Sequence, residues 1–552
     1  MTACATQREH VVIRASAGTG KTFQLSNRFL SILAGGEAPE RLLATTFARK
    51  AAGEIMERVL LRLADAALDA DRSRELAGHL QMPKLEPAAF GHLLGNLIQR
   101  LHRLRVGTLD SFFMQLATSF SLELGLPPGW KILEPLDDVR LRSEAIRRVL
   151  EQAPATGSAR LMHLLSKGEA ARSITDQIVE MVDGLYDIYC ETQPEAWQRL
   201  GRLTPLESAD LAAAIESLAS LSDLPNKHFI NAHTGDLANA REGNWDQFVC
   251  KGLGGALAAG KETFQRREID PPIAAAYEPL VKHARAVLVN QLANQTEGTH
   301  KLLADFDAAY RQIKFRERGY RFEDITRVLA AAMEQGGLAN VFYRLDGQIG
   351  HLLLDEFQDT SLAQWQVIER FARSCTEPDS GKSFFCVGDG KQAIYGWRGG
   401  IAEIFDCVEQ RLPGLVSQSL VQSFRSSPVV IDVVNRLFEH LDENCVLADF
   451  PTARKAWLTG YQQHTTAKSD FPGYACLQVA PAAAEGEKQA EATLRFAAGE
   501  IARLAALHPG RSIGVLVRRN SAVARLIYEL RTHHDVLASE EGGNPLTDSA
   551  AV

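Results

Sequence analysis

A glycine-rich loop near the start of the chain restricts the fold more than any other feature. An apolar run beginning at Val11 leads into Ala15-Ser16-Ala17-Gly18-Thr19-Gly20-Lys21-Thr22, after which Phe23, Leu25, Phe29, Leu30 and Leu33 recur at helical spacing. This reads as strand, loop, helix. Gly35-Gly36 closes the helix, and Leu42-Leu43-Ala44-Thr45-Thr46-Phe47 reads as the next strand, with a helix following through Met56 and Val59. Strands alternating with helices predict an α/β class, a parallel sheet covered on both faces.

The pattern does not run on uninterrupted. Across residues 118–317 strand-like runs nearly vanish and Ala, Leu, Arg and Glu at helical periods take over, which predicts an all-helical insertion. Within it Pro127-Pro128-Gly129 and Pro271-Pro272 read as breakers, and the Asn-, His- and Gly-rich stretch Asn226 to Asn244 as a loop. Strand signals return at His351 to Leu354 and Phe384 to Val387, so the insertion splits one α/β domain. A last α/β stretch begins near Leu415, with strands expected at Cys476 to Val479 and Ser512 to Val517, and a loop or helix start at Pro481 to Gln489.

Composition narrows the partners. The 552 residues carry 60 Lys and Arg against 68 Asp and Glu, a net charge of -8, so no global positive field draws the chain to nucleic acid and any DNA contact must be a local groove. Eight cysteines without a C-x-x-C pair argue against a zinc cluster or disulfide frame and for a reducing, cytoplasmic setting. No basic, apolar leader opens the chain, and no run nears the about 18 apolar residues of a membrane span.

Two stretches carry chemistry. In the glycine loop, backbone amides from Gly18 to Thr22 at a helix N-terminus suit a β-phosphate, Lys21 suits the β and γ oxygens, and the Thr22 hydroxyl suits magnesium. Ala15 stands where the phosphate-loop pattern usually has its first Gly. The second stretch is Leu352-Leu353-Leu354-Asp355-Glu356-Phe357-Gln358-Asp359-Thr360-Ser361. An apolar strand ending in Asp-Glu puts two carboxylates at the carboxyl edge of a parallel sheet, Asp355 for the metal and Glu356 for the attacking water.

Together these stretches resemble the superfamily-1 DNA helicases of the UvrD/Rep type, closest to the RecB and AddA branch. Further blocks agree in order: Thr46-Phe47-Ala48-Arg49-Lys50-Ala51-Ala52-Gly53-Glu54-Ile55 resembles motif Ia and Gly107-Thr108-Leu109-Asp110-Ser111-Phe112 motif Ib. Gly388 through Gly399, containing Gln392, Tyr395, Trp397 and Arg398, resembles motif III, and Gln422-Ser423-Phe424-Arg425-Ser426 motif IV. Tyr320 to Ile325 is similar to this branch's return from its insertion. Asp110 stands where the family commonly has His, and Ala393 where it has Ser.

The resemblance implies ATP and Mg2+ as cofactors and single-stranded and duplex DNA as substrate. It implies that Gln392 senses the γ-phosphate, that Arg425 is an arginine finger, and that Phe424 and Gln7 contact the adenine. The phosphate cradle would be Ala15, Ser16, Ala17, Gly18, Thr19, Gly20, Lys21 and Thr22, with Thr22 and Asp355 on the metal. Tyr395 and Trp397 would stack on bases, a grip indifferent to sequence, with Phe47, Thr108 and Arg398 as further DNA contacts.

The expected architecture is a RecA-like P-loop motor domain (residues 1–117 and 318–415) split by a helical insertion (118–317), then a partial second RecA-like domain (416–552). The expected activity is that of an ATP-dependent 3'-5' DNA helicase or translocase in repair and recombination. The family's motifs V and VI are not found in the sequence, so the chain reads as the N-terminal portion of such a motor. Two alternatives stand beside it: one component of a helicase-nuclease whose nuclease and partner subunit lie elsewhere, and a nucleotide-gated DNA-binding protein that does not unwind.

Overall fold

A computed structural model describes residues 9–152, 174–335, 349–393 and 403–540. Six strands form the main sheet: β1 (His10–Ala15), β2 (Leu42–Thr46), β3 (Arg105–Thr108), β4 (His351–Leu354), β5 (Ser383–Gly388) and β6 (Leu415–Leu420), in the order β6-β1-β5-β4-β2-β3. The pairings β1–β5, β5–β4, β4–β2 and β2–β3 are all parallel. Every residue of β2, β4 and β5 is buried, as both-face coverage by helices demands, whereas β6 and β3 are mostly half-exposed edges. Phe112, Phe113 and Leu116 of helix Leu109–Ser119 share a core with Leu352 of β4, Phe384 of β5 and Trp365 of helix Leu362–Thr376.

Between β3 and β4 the chain is dominated by helices, among them Pro135–Gln152, Ile174–Glu191 and the 47-residue Pro271–Glu317. These pack into two apolar clusters of their own, one around Leu141, Tyr186 and Phe306, the other around Phe229, Trp245 and Tyr277. Entry and exit are stitched together: Lys131–Ile132 pairs in parallel with Gly319–Tyr320.

Three local expectations fail, each for a physical reason. The stretch expected as a loop from Asn226 to Asn244 is helix Lys227–Glu242. Asn226 caps it by accepting from the N–H groups of His228 and Phe229, Gly243 ends it in the left-handed region, and Phe229, His233, Asp236 and Ala240 are buried along it. Pro271-Pro272, expected as a breaker, opens the longest helix from its first turn, where a missing N–H costs nothing. The strands expected at Cys476 to Val479 and Ser512 to Val517 are irregular: Leu477 is 96% and Leu516 100% exposed. A strand needs a neighbour to take its N–H and C=O groups, and none pairs with either segment among the described residues.

The chain divides into two compact units, one running to Arg14 and from Lys21 to Gln418, the other made of Ala15–Gly20 and the chain from Ser419 onward. In the second, helices Gln489–Leu507 and Asn520–His533 meet around Ala498, Leu526 and Leu530. Among the described residues no helix is long and apolar enough to cross a membrane.

Candidate functional site

Three adjacent parallel strands, β1, β5 and β4, release their loops at the same edge of the sheet. Arg14 lies in register with Gly388, and Leu354 with Cys386, so the glycine loop, the turn after Gly388 and the Asp-Glu turn start within a few ångströms of sheet height of one another. Lys21 opens helix Lys21–Ala34, whose first turn carries no acidic residue to compete with an anion. Its side chain is only 10% exposed, and Nζ donates to Glu356 Oε2 at 2.8 Å and to Gln392 Oε1 at 3.3 Å. Three of the five residues expected to be catalytic thus meet at one ammonium group. Thr22, expected on the metal, is the next residue of the helix and half-buried.

The acidic turn is under electrostatic load. Asp355 is buried and its N–H bonds the Thr45 carbonyl at 2.8 Å, yet Oδ1 has no partner. Burial, reinforced by the charge of Glu356 and partly offset by Lys21, pushes the Asp355 carboxyl up to about 7. Asp359 also has an unpartnered buried Oδ1, and burial with the Glu356 charge lifts it to about 6. Glu356 itself sits in the left-handed region, φ 48° and ψ 45°, rare for a residue with a side chain. Gln358 is buried between the two motifs: Nε2 donates to Glu356 Oε2 at 2.7 Å, and Oε1 accepts from the Asp389 N–H at 2.8 Å.

In the second unit the glycine loop Ala15–Gly20 is packed against the segment after β6. Ser16 donates its N–H to the Leu420 carbonyl at 3.1 Å, and the Phe424 N–H donates to the Gly18 carbonyl at 2.8 Å. Within the loop the Thr19 hydroxyl donates to the Ser16 carbonyl at 2.8 Å, and Ala15, Ser16 and Thr19 are buried. Gly18 has φ +74°, and a Cβ there would fall 2.8 Å from both Arg425 Cβ and Ser423 Oγ. Ser423 Oγ accepts the N–H groups of Arg425 and Ser426, shaping the turn that leaves Arg425 and the Phe424 ring exposed. The structure therefore brings Ala15 to Gly20 together with Phe424 and Arg425.

Sequence comparison with known families gives the deciding observation: residues 1–413 match the model described as the UvrD/REP helicase N-terminal domain. The chain belongs to this family. Among curated relatives, an ATP-dependent helicase/nuclease subunit of Streptococcus thermophilus strain LMD-9 is 27% identical over 492 residues, 78% of this chain and 38% of the relative. The corresponding protein from Streptococcus pneumoniae strain Hungary19A-6 and the exonuclease/helicase subunit RexA of strain TIGR4 are each 26% identical over 496 residues, 79% of this chain. The chain spans 38% of the length of each of these relatives.

The other residues expected from the UvrD/REP pattern fall at different places. Phe47 follows β2 directly and is half-buried. Thr108 ends β3, and its hydroxyl caps helix Leu109–Ser119 by accepting from the Ser111 N–H at 3.2 Å. Gln7, Tyr395, Trp397 and Arg398 lie outside the described residues.

A magnesium ion fits the donors at this edge. Among the described residues no group of three or more His, Cys, Asp or Glu forms a cage, but magnesium beside phosphates is held by one or two protein ligands. The unpartnered Asp355 Oδ1, with the Thr22 hydroxyl, supplies that kind of set. Sequence reasoning assigned no role to Gln358 and Asp359, although both stand in the stretch from Leu352 to Ser361. The available signal was their position, polar residues in the turn that follows the apolar run Leu352 to Leu354.

Proposed function

We propose that this chain is the motor portion of an ATP-dependent DNA helicase or translocase moving 3' to 5' along single-stranded DNA, acting in repair and recombination. The carrying observation is the convergence of Lys21, Glu356 and Gln392 from three neighbouring strand ends, with Nζ 2.8 Å from the carboxylate and 3.3 Å from the amide oxygen. In the nucleotide-free protein Lys21 is neutralised by Glu356. Triphosphate oxygens offer a stronger anionic partner, so ATP draws Lys21 away and frees the carboxylate to orient water. Glu356 then takes a proton from that water as its oxygen attacks the γ-phosphorus, and the bond to the β-phosphate oxygen breaks to release ADP and phosphate. Magnesium held by Asp355 and Thr22 would neutralise phosphate charge. Gln392 reports the occupancy of the γ position to the turn leading toward Tyr395 and Trp397, which stack on bases with Phe47, Thr108 and Arg398 as further contacts.

In this reading residues 1–117 and 318–415 form a RecA-like motor domain, 118–317 its helical insertion and 416–552 part of a second such domain. Phe424 and Gln7 serve the adenine and Arg425 the γ-phosphate. The names of the relatives, each a helicase/nuclease subunit, favour a second reading in which the motor works inside a helicase-nuclease with a partner subunit. The test is DNA-stimulated ATP hydrolysis by the intact protein and by Lys21→Ala. Loss of hydrolysis and of DNA stimulation is expected; equal rates would sink the assignment of Lys21.

A further inference from the structure

We propose that Gln358 is a positioning residue for hydrolysis: it holds the Glu356 carboxylate against the end of β5, so that the water-orienting group and the turn bearing Gln392 act as one unit. This rests on the reading of Glu356 given above. The Gln358 side chain is 1% exposed and its amide is used at both ends. Because the Asp389 N–H can only donate, the amide oxygen must face it, which aims the NH2 group at Glu356. The Asp389 carbonyl in turn accepts from the Gln392 N–H at 2.8 Å. Since Lys21 bonds both Gln392 and Glu356, the five residues close a ring of hydrogen bonds that joins the start of helix Lys21–Ala34 to the turns after β4 and β5.

Two further observations point the same way. Glu356 has a left-handed backbone, a conformation that is disfavoured for a residue with a side chain and persists where neighbours over-determine it. Gly388, the last residue of β5, is bare where the amide docks: a Cβ there would lie 2.2 Å from Gln358 Oε1 and 3.0 Å from the Phe357 nitrogen. When phosphate oxygens draw Lys21 away, Gln358 stays on Glu356 Oε2. That anchors one carboxylate oxygen and leaves the other for the water.

The test uses Gln358→Met, similar in length but without a donor and with only a weak sulfur acceptor, in the intact protein. The kcat for ATP hydrolysis should fall roughly 10- to 100-fold, while the Kd for a fluorescent ATP analogue stays within about threefold of wild type. Combined with Glu356→Gln, the second change should add less than about a twofold loss, because Gln358 acts through the carboxylate already removed. A structural role would instead multiply the two losses and weaken nucleotide binding. Gln358→Glu keeps the acceptor for Asp389 but sets a carboxylate against Glu356, should lose kcat similarly, and carries the test if the Met variant does not fold. Wild-type kcat in a folded Gln358 variant, or multiplicative losses in the double variant, overturns the proposal while an inactive Glu356→Gln leaves the reading of Glu356 standing. Near-wild-type hydrolysis by Glu356→Gln overturns that reading and the proposal with it.

Discussion

At the scale of single residues, Asp355 and Asp359 make a pH signature. Both carboxyls are pushed above the ordinary aspartate value by burial and by the charge of Glu356, to about 7 and about 6. Their folded-state pKa is raised, so the native chain holds more protons than the unfolded chain at pH values between the free carboxyl's and these. Their contribution to stability is therefore full below the ordinary value of 3.8 and is lost progressively as pH rises from there to about 6 for Asp359 and about 7 for Asp355. In metal- and nucleotide-free protein, urea titrations should show this component of stability declining across that window, and Asp355→Asn should flatten the decline. An unchanged profile in the variant would mean that Asp355 ionises freely. Gln358 teaches the complementary lesson. Its letter is plain in the stretch after β4, but its role depends on Asp389, thirty-one positions away, facing it across β4 and β5.

At the scale of elements, glycines separate structural necessity from tolerance. Gly18 combines a left-handed φ with a Cβ position already filled by Arg425 and Ser423. Gly18→Ala should loosen the glycine loop from the segment after β6, seen as faster hydrogen exchange at the Phe424 amide, which now bonds the Gly18 carbonyl. Gly95 of helix Pro87–Gln99 meets nothing within 4 Å of an added Cβ. Gly95→Ala should raise stability by about 0.5–1 kcal/mol, measured by urea unfolding, through helix propensity alone. The apolar runs Leu42 to Ala44, Leu352 to Leu354 and Phe384 to Val387 made β2, β4 and β5 easy to recognise, because strands buried on both faces are mostly apolar and the few polar residues among them, such as His351 and Ser383, need a partner within the fold. Helix Lys227–Glu242 was hidden because Asn226 and Gly243, its caps, read as loop letters, and because His233 and Asp236 are polar residues on its buried face whose partners lie elsewhere in the chain.

At the scale of the whole chain, the long helix Pro271–Glu317 ends where the sheet-bearing part resumes, and a buried ion pair ties the two. Lys314 Nζ lies 2.7 Å from Asp324 Oδ2, with the lysine side chain 3% exposed. Burial pulls the lysine below its usual value against the opposing attraction of Asp324. Asp324→Ala would leave that ammonium without this partner and should cost about 3–5 kcal/mol in urea unfolding. Lys314→Met should cost less, since Asp324 keeps the Arg321 N–H at 2.9 Å and Arg327 at 3.7 Å. Equal costs would show that Arg321 and Arg327 do not compensate Asp324 for the loss of Lys314.

Sequence alone determined the local chemistry: a glycine loop between strand and helix, an apolar strand closed by Asp-Glu, and a helix-rich stretch between strand groups. These are properties of neighbours in the chain, set by backbone freedom, burial and period. Only the tertiary structure decided which strand ends lie side by side, and hence that Lys21, Glu356, Gln358, Asp389 and Gln392 form one ring. The same holds for the segments Cys476 to Val479 and Ser512 to Val517, whose letters suit strands but whose conformation depends on a pairing neighbour. A hydrogen bond across a sheet joins residues hundreds of positions apart, and no local pattern encodes which partner the fold will bring.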